Sequence, residues 1–305
     1  MSLPDPPPDP CSAAIPSGRP RFSIIVPVYG GWGDLPGLLA ALEAQEMRDF
    51  ELIIVDNEAE PRPEASVRAG LPARPAFRLL HCPAPGSYAA RNAGAGIAVG
   101  VRLVFTDADC RPVPGWLAAF AVADGGAPLL AGPVRMRMGP EPGPWEIYDA
   151  VRGIPQERYV GRGYATTANL SVPAMLFHRL GGFDAARFSG GDAEFCRRAG
   201  AAGQGIALVA GAVVEHPARA GRAASLAKAR RIKGGQVAAG PTRRRVLWVL
   251  RSLVPPVRDM AAYLRDRRHP LRHRLVAGGI RLRLWAAELA EMARLLLLRR
   301  PPERR

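Results

Sequence analysis

The sequence predicts an α/β fold, a mostly parallel central sheet with helices on both faces, plus a C-terminal helical basic appendage. Three observations predict it. Short apolar runs alternate with helix-length segments from residue 22 to residue 123, as parallel strands buried on both faces do. Two of those runs end in carboxylates, at Asp56 and at Asp107-Ala108-Asp109, and the carboxyl edge of an open α/β sheet is where ligands bind. The charge is also divided. Residues 1–218 hold 19 Arg/Lys and 22 Asp/Glu, residues 219–305 hold 23 and 5, so the net +15 belongs to the C-terminal segment.

The elements follow in order. Phe22–Val28 is a buried first strand, Gly30, Gly31 and Gly33 make a loop, and a helix runs from about Asp34 to Met47. Glu51–Val55 is the second strand, followed by a Pro-rich surface loop and a third strand over Phe77–His81. Gly86 opens a helix over Ser87–Val99, Arg102–Thr106 is the fourth strand, and Pro114–Ala123 the next helix. Further on, strands are expected over Leu129–Met136, Ala168–Val172 and Ile206–Val214. Helices are expected around Trp145–Val151, from Pro173 to Gly181-Gly182, and over Asp192–Ala202. After Arg219, Arg- and Leu-rich helical segments are interrupted at Pro241, Pro255-Pro256 and Pro270.

Composition bounds the rest. A chain of 305 residues suits one large α/β domain with an appendage. Residues 1–20, rich in Pro and Asp, read as a disordered lead-in with neither the basic start nor the apolar core of a signal peptide. No apolar run reaches the length of a membrane span. Cys11, Cys82, Cys110 and Cys196 are far apart and read as reduced thiols, which fits a cytoplasmic protein. Lys228 and Lys233 are the only lysines, and so strong an Arg bias fits a GC-rich genome rather than one chosen phosphate ligand per arginine.

Several residues carry candidate chemistry. Asp107 and Asp109, one residue apart after an apolar strand, can share a hard divalent cation, Mn or Mg, which can hold a diphosphate. The same pattern also reads as a helix cap and turn. Asp56 can accept hydrogen bonds from a base or ribose, or cap a turn. Arg91 can reach a phosphate or brace the acidic edge. Asp192, after two glycines at a helix start, suits a general base toward a hydroxyl nucleophile, and Glu194 binds acceptor or braces Arg197 or Arg198. Both acids also complement a helix dipole. His216, after an apolar strand, is a third metal ligand or a histidine at the core edge. No phosphate loop with its lysine, serine nucleophile elbow or zinc cluster is present.

Five segments together resemble a known family. Phe22-Ser-Ile-Ile-Val-Pro-Val-Tyr29, Glu51-Leu-Ile-Ile-Val-Asp-Asn57, Ala90-Arg-Asn-Ala-Gly94, Phe105-Thr-Asp-Ala-Asp109 and Gly191-Asp-Ala-Glu-Phe-Cys-Arg-Arg198 are similar to the motifs of family-two glycosyltransferases, in that family's order and spacing. The resemblance implies the type-A glycosyltransferase fold and a metal-dependent, inverting transfer from a nucleotide-sugar. It implies a catalytic domain over 21–218, with a nucleotide-sugar-binding half over 21–110 and an acceptor half over 111–218. Pro27, Tyr29, Asp56, Arg91 and Asp107 would lie on the donor side, with Asp56 on the base, often uracil, which suggests a UDP-sugar. Asp107 and Asp109 would form the Asp-x-Asp motif, with Asp109 the main metal contact. Asp192 would be the base, Asn169, Gly191 and Glu194 would face the acceptor, and His216 lies where some members place a metal-binding histidine. Many members carry Glu where this chain has Gly191, a departure that bears on acceptor contacts.

The family and the basic tail suggest a saccharide or lipid-linked acceptor in envelope polysaccharide or glycolipid synthesis. The tail over 219–305 has two readings: peripheral contact with the inner face of the cytoplasmic membrane, or packing on the catalytic domain. Trp285, Leu289, Met292 and Leu296 are spaced to share one helix face. Nucleic acid is a weak third partner, since no recognition motif accompanies the charge. Two other functions compete. A nucleotidyltransferase would need a basic, Gly-rich loop after the first strand, and Gly30–Gly33 has no cation. A non-catalytic sugar- or membrane-binding module would not need Asp107, Asp109 and Asp192 together.

Overall fold

The computed structural model describes residues 18–187, 189–238 and 242–297. Most of the expected disordered lead-in, and Pro241, lie outside these residues.

In chain order the elements are β1 (Phe22–Val28), α1 (Leu35–Glu43), β2 (Phe50–Asp56), α2 (Glu64–Ala69), β3 (Arg78–His81), α3 (Ser87–Ile97), β4 (Arg102–Phe105), β5 (Arg111–Pro112), α4 (Trp116–Val122), β6 (Leu129–Ala131) and β7 (Val134–Arg137). Then come α5 (Pro144–Arg152), α6 (Gln156–Val160), β8 (Leu170–Pro173), α7 (Ala174–Arg179), α8 (Gly191–Ala201), β9 (Ile206–Leu208) and β10 (Val214–Pro217). The C-terminal segment forms α9 (Arg222–Ala238), α10 (Thr242–Leu253), α11 (Val257–Arg265) and α12 (Leu271–Leu297). They form two compact units. Unit 1 takes the chain to Pro133, then Gln156–Phe183 and Asp192–Val214. Unit 2 takes Val134–Pro155, Asp184–Gly191 and the chain from Glu215 on.

Unit 1 is built on a seven-stranded sheet of order β3-β2-β1-β4-β8-β6-β9. β1 to β4 are parallel, β8 runs antiparallel to both β4 and β6, and β9 returns parallel to β6. Successive strand residues point to opposite faces, so β1 feeds two cores. Ile24, Val26 and Val28 pack with Leu38 of α1 and Trp116 of α4, while Ile25 packs with Val55, Phe105 and Phe195 on the other face. On that second face α3 lies so close that a Cβ at Gly94 would sit 2.6 Å from Ile25 Cγ2, a contact only glycine permits.

Three expectations are corrected here. The Pro-rich loop after β2 holds a short helix, α2, which Pro63 precedes at the N-cap position. The strand expected over Leu129–Met136 is two strands, β6 and β7, parted at Gly132-Pro133. A Cβ on Gly132 would lie 1.8 Å from the Ala212 carbonyl oxygen, so the chain turns where it can pass that backbone. The strand expected from Ile206 to Val214 is likewise two, separated by a turn in which Ala212 N–H donates to Val209 O and Val213 N–H to Gly211 O.

Unit 2 contains β7 and β10 side by side in a small sheet, α5, and the tail helices. The tail prolines fall between helices, as the sequence predicts: Pro255-Pro256 between α10 and α11, Pro270 before α12. Ile147, Tyr148 and Val151 of α5 form one core with Ala229, Tyr263, Ala277, Ile280 and Leu284 of the tail. The expected apolar face of α12 is mostly turned inward: Met292 is buried, Trp285 and Leu289 are half-buried, and Leu296 is exposed. No described helix is long and apolar enough to cross a membrane.

Candidate active site

The acidic edge forms where β4 stops. Thr106 is buried and its hydroxyl donates to Ala168 O at 3.1 Å, which ends the strand against the loop before β8. Asp107 to Cys110 then turn back, closed by Cys110 N–H on Asp107 O at 3.1 Å. Within unit 1, single ligand atoms of Asp107, Asp109 and Cys110 lie within 4.8 Å of one another. Burial pushes the Cys110 thiol far up, and the charges of Asp107 and Asp109 push it further. The paired carboxylates of Asp107 and Asp109 offer oxygen ligands that suit a hard divalent cation.

Arg91 closes this edge from behind. Residue 91 falls on the sheet-facing side of α3, and its guanidinium, 3% exposed, donates from Nη2 to Asp107 Oδ1 at 2.5 Å. Of the two readings left open by the sequence, Arg91 therefore braces the acidic edge. Arg91 is buried while Asp107 is half-exposed, so losing Asp107 would strand the buried guanidinium. The Arg91 guanidinium also lies over the Tyr88 ring, 5.9 Å from its centroid.

Asp192 begins the first turn of α8. Its carboxylate accepts the N–H of Ala193 at 2.8 Å, the hydroxyl of Tyr88 and the backbone N–H of Thr167, and it feels the charge of Arg91. Burial nevertheless dominates and raises its pKa above the ordinary carboxylate value. Asp192 thus holds a proton more readily than a surface aspartate, as a general base should. Arg91 and Tyr88 come from one helix turn of α3, so a single element touches both the acidic edge and Asp192.

The donor side expected from the sequence is arranged as a set of loop anchors. Asp56 is buried at the end of β2, opposite Val28 of β1, and its two carboxylate oxygens accept the N–H groups of Glu58 and Arg62 at 3.0 and 2.9 Å. Each oxygen keeps a second lone pair. Asn57, which the sequence reading passed over, joins two loops. Its amide donates to the carbonyls of Cys82 and Ala84, both at 2.7 Å, and accepts the N–H of Gly86 at 3.2 Å, so it sets the entry into α3. Pro27 lies within β1 beside Val55, and Tyr29 is exposed just past the strand end.

The residues expected to face an acceptor divide. Asn169 is fully buried, and its side-chain groups meet protein partners: Oδ1 accepts the Trp116 indole N–H at 2.9 Å, and Nδ2 donates to Pro133 O and Ala212 O at 3.1 and 2.7 Å. It stitches unit 1 together. Glu194 takes the bracing alternative. It forms a two-pronged pair with Arg198 at 2.7 and 3.1 Å, and Arg198 also donates to the carbonyls of Leu180 and Gly182, tying α8 to the turn after α7. Gly191 is the first residue of α8 and belongs to unit 2. Gln156, for which the sequence carries no signal, is buried and holds Thr166 N–H and Asn169 O, shaping the loop that carries Thr167.

His216 stands buried on β10 in unit 2. Its Nδ1 is 2.8 Å from Pro217 O, a contact that requires the proton on Nδ1 and gives Nε2 the lone pair. The residues before it are anchored in unit 1: Val213 O accepts from Val113 N–H and Val214 N–H donates to Pro133 O. The described cysteines 82, 110 and 196 are buried and free of disulfides.

Comparison with known proteins fits this geometry. The family model for glycosyl transferase family 2 matches residues 23–179. Glycosyltransferase AglE of Haloferax volcanii is 29% identical over 209 residues, covering 67% of this chain and 69% of that protein. Succinoglycan biosynthesis protein ExoM of Rhizobium meliloti is 31% identical over 208 residues, covering 65% and 67%. Among solved structures, the mannosyltransferase PcManGT from Pyrobaculum calidifontis, in complex with GDP-Man and Mn2+, superposes with a TM-score of 0.57 at 20% identity, over 96% of this chain and 92% of that one. That likeness supports the type-A fold. The chain belongs to glycosyl transferase family 2 and is a glycosyltransferase.

Proposed function

We propose that the protein transfers a sugar, with inversion at the anomeric carbon, from a nucleoside-diphosphate sugar to a hydroxyl of a saccharide or lipid-linked acceptor. The observation that carries this is Arg91, which pairs with Asp107 while its charge acts on Asp192, a base whose pKa burial raises. Asp109 and Asp107 would hold Mn or Mg. That ion would offset charge growing on the leaving diphosphate. The Mn2+ in the PcManGT complex favours manganese.

The residues of the chain then act as follows. Asp192 orients the acceptor hydroxyl and takes its proton. The acceptor oxygen attacks the anomeric carbon from the face opposite the diphosphate. The bond from that carbon to the diphosphate oxygen breaks, and the electron pair leaves with the nucleotide. Asp56, Pro27 and Tyr29 line the base and ribose end, and the spare Asp56 lone pairs suit the N–H of uracil, hence UDP as first choice. Gly191, lacking a side chain beside the base, widens the acceptor side.

Calorimetric binding of UDP, GDP and dTDP, each with and without Mn2+, tests the donor half. Metal-dependent binding of one nucleotide is expected, and equal binding with and without metal would refute the metal assignment. Product stereochemistry tests inversion directly, since retention of the anomeric configuration rules out single displacement by the acceptor.

A further inference from the structure

Helix α10 is amphipathic the wrong way round for a helix of a soluble protein. Its inward side joins a polar cluster to the half-buried Trp248 and Val249. Ser252 is buried, accepts a hydrogen bond from Lys233 Nζ at 2.8 Å and donates to Trp248 O at 2.6 Å. Its carbonyl accepts the Trp285 indole N–H at 2.8 Å, and Lys233 pairs with Glu288 at 3.4 Å. Arg245 Nε reaches Val237 O at 2.9 Å. These groups hold α10 to α9 and α12 through hydrogen bonds and charge.

The outward side is aliphatic. Val246, Leu247, Leu250, Leu253, Val254 and Val257 are each between 52% and 64% exposed. At 3.6 residues per turn those on the helix lie within an arc of about 120°, a stripe of the width that globular helices normally turn to their core. Arg243, Arg251 and Arg258 are exposed along the same stretch, and no acidic residue occurs from Thr242 to Arg258.

We infer that α10 and the start of α11 form a docking surface for an anionic lipid bilayer, with the stripe entering the headgroup boundary and the arginines meeting lipid phosphates. The charge favours this occupant. A bilayer presents apolar depth under negative charge, the complement of an aliphatic stripe flanked by arginines. A second copy of the chain would bring arginines against arginines. At 12 residues, α10 lies on a bilayer and does not span it. The surface goes beyond the transfer chemistry proposed above and stands whether or not that chemistry holds.

The test is flotation of the full chain with vesicles of phosphatidylcholine alone and of phosphatidylcholine with about 30% phosphatidylglycerol. Binding to the anionic vesicles only, weakened at high salt, is expected. Leu247→Glu/Leu250→Glu should weaken it at least tenfold, with the thermal midpoint unchanged because both side chains face solvent. As a second reading, a polarity-sensitive dye on Leu250→Cys should shift to the blue with anionic vesicles alone. Equal flotation of the double variant, or a dye that does not respond, would overturn the assignment. So would a dimer in solution that the double variant dissolves, since the stripe would then serve a second copy.

Discussion

The two units place their polar and apolar groups in opposite ways. Unit 1 hides its hydrophobic strands in two cores, sets Asp107 and Asp192 around Arg91, and keeps Asp109 beside Asp107. Its buried polar side chains, such as Asn169 and Gln156, are met by hydrogen-bonding partners. Unit 2 encloses charge, with Lys228, Arg152 and Arg219 around Asp149 and Lys233 beside Glu288, and leaves the leucines and valines of α10 outside. Buried polar groups can therefore serve two ends. In unit 1 they fix a site, and in unit 2 they hold a helix whose apolar side is turned outward.

Four tests, made with five substitutions, break or sharpen that contrast. The largest effect is on catalysis: Asp192→Asn and Asp109→Ala should each lower transfer at least 100-fold with the melting temperature nearly unchanged. A steady-state assay beside a thermal melt decides it, and near-normal turnover in either variant contradicts the assigned role. Next is Asn169→Ala, which leaves the Trp116 indole N–H and the Ala212 carbonyl without their partner and should destabilise unit 1 by about 2–4 kcal/mol. A denaturant titration measures it, and a loss below about 0.5 kcal/mol would return Asn169 to the ligand side.

The third change is Tyr88→Phe. The Tyr88 hydroxyl lowers the Asp192 pKa, so its removal lets that pKa rise further. The acid limb of kcat/KM should move to higher pH, and a limb that stays in place would separate Asp192 from the observed titration. The smallest effect belongs to unit 2. Burial, helped by Arg152 and Arg219, lowers Lys228 from 10.5 to about 7. Between those values the unfolded chain binds more protons at this side chain than the folded one, so stability contributed there rises with pH. Melting temperatures from pH 7 to 10 should climb less steeply in Lys228→Met than in the parent, and parallel curves would mean Lys228 stays charged.

Much of unit 1 was legible because its signals are local. Apolar runs locate β1, β2 and β4, and the Asp-x-Asp pair follows β4 at once. The tail helices were legible from their prolines. What local signals leave open is decided by distant partners. Asn169 sits in a motif that suggests function, yet its partners lie 53, 36 and 43 residues away in sequence. The break between β6 and β7 depends on Ala212, whose carbonyl passes Gly132. The bracing of Arg198 by Glu194 was open in the sequence as one of two choices, and three-dimensional proximity to Leu180 and Gly182 selects it.

The path of the chain between the units has a practical outcome. It passes from one unit to the other at 133/134, 155/156, 183/184, 191/192 and 214/215. Removing everything after residue 218 would strip α5 of the helices that cover Ile147, Tyr148 and Val151, and leave those three side chains in water. Such a fragment should clump on expression even though every motif residue is intact. Recombination between relatives would therefore need to exchange α5 along with the tail, since the two close one shared core.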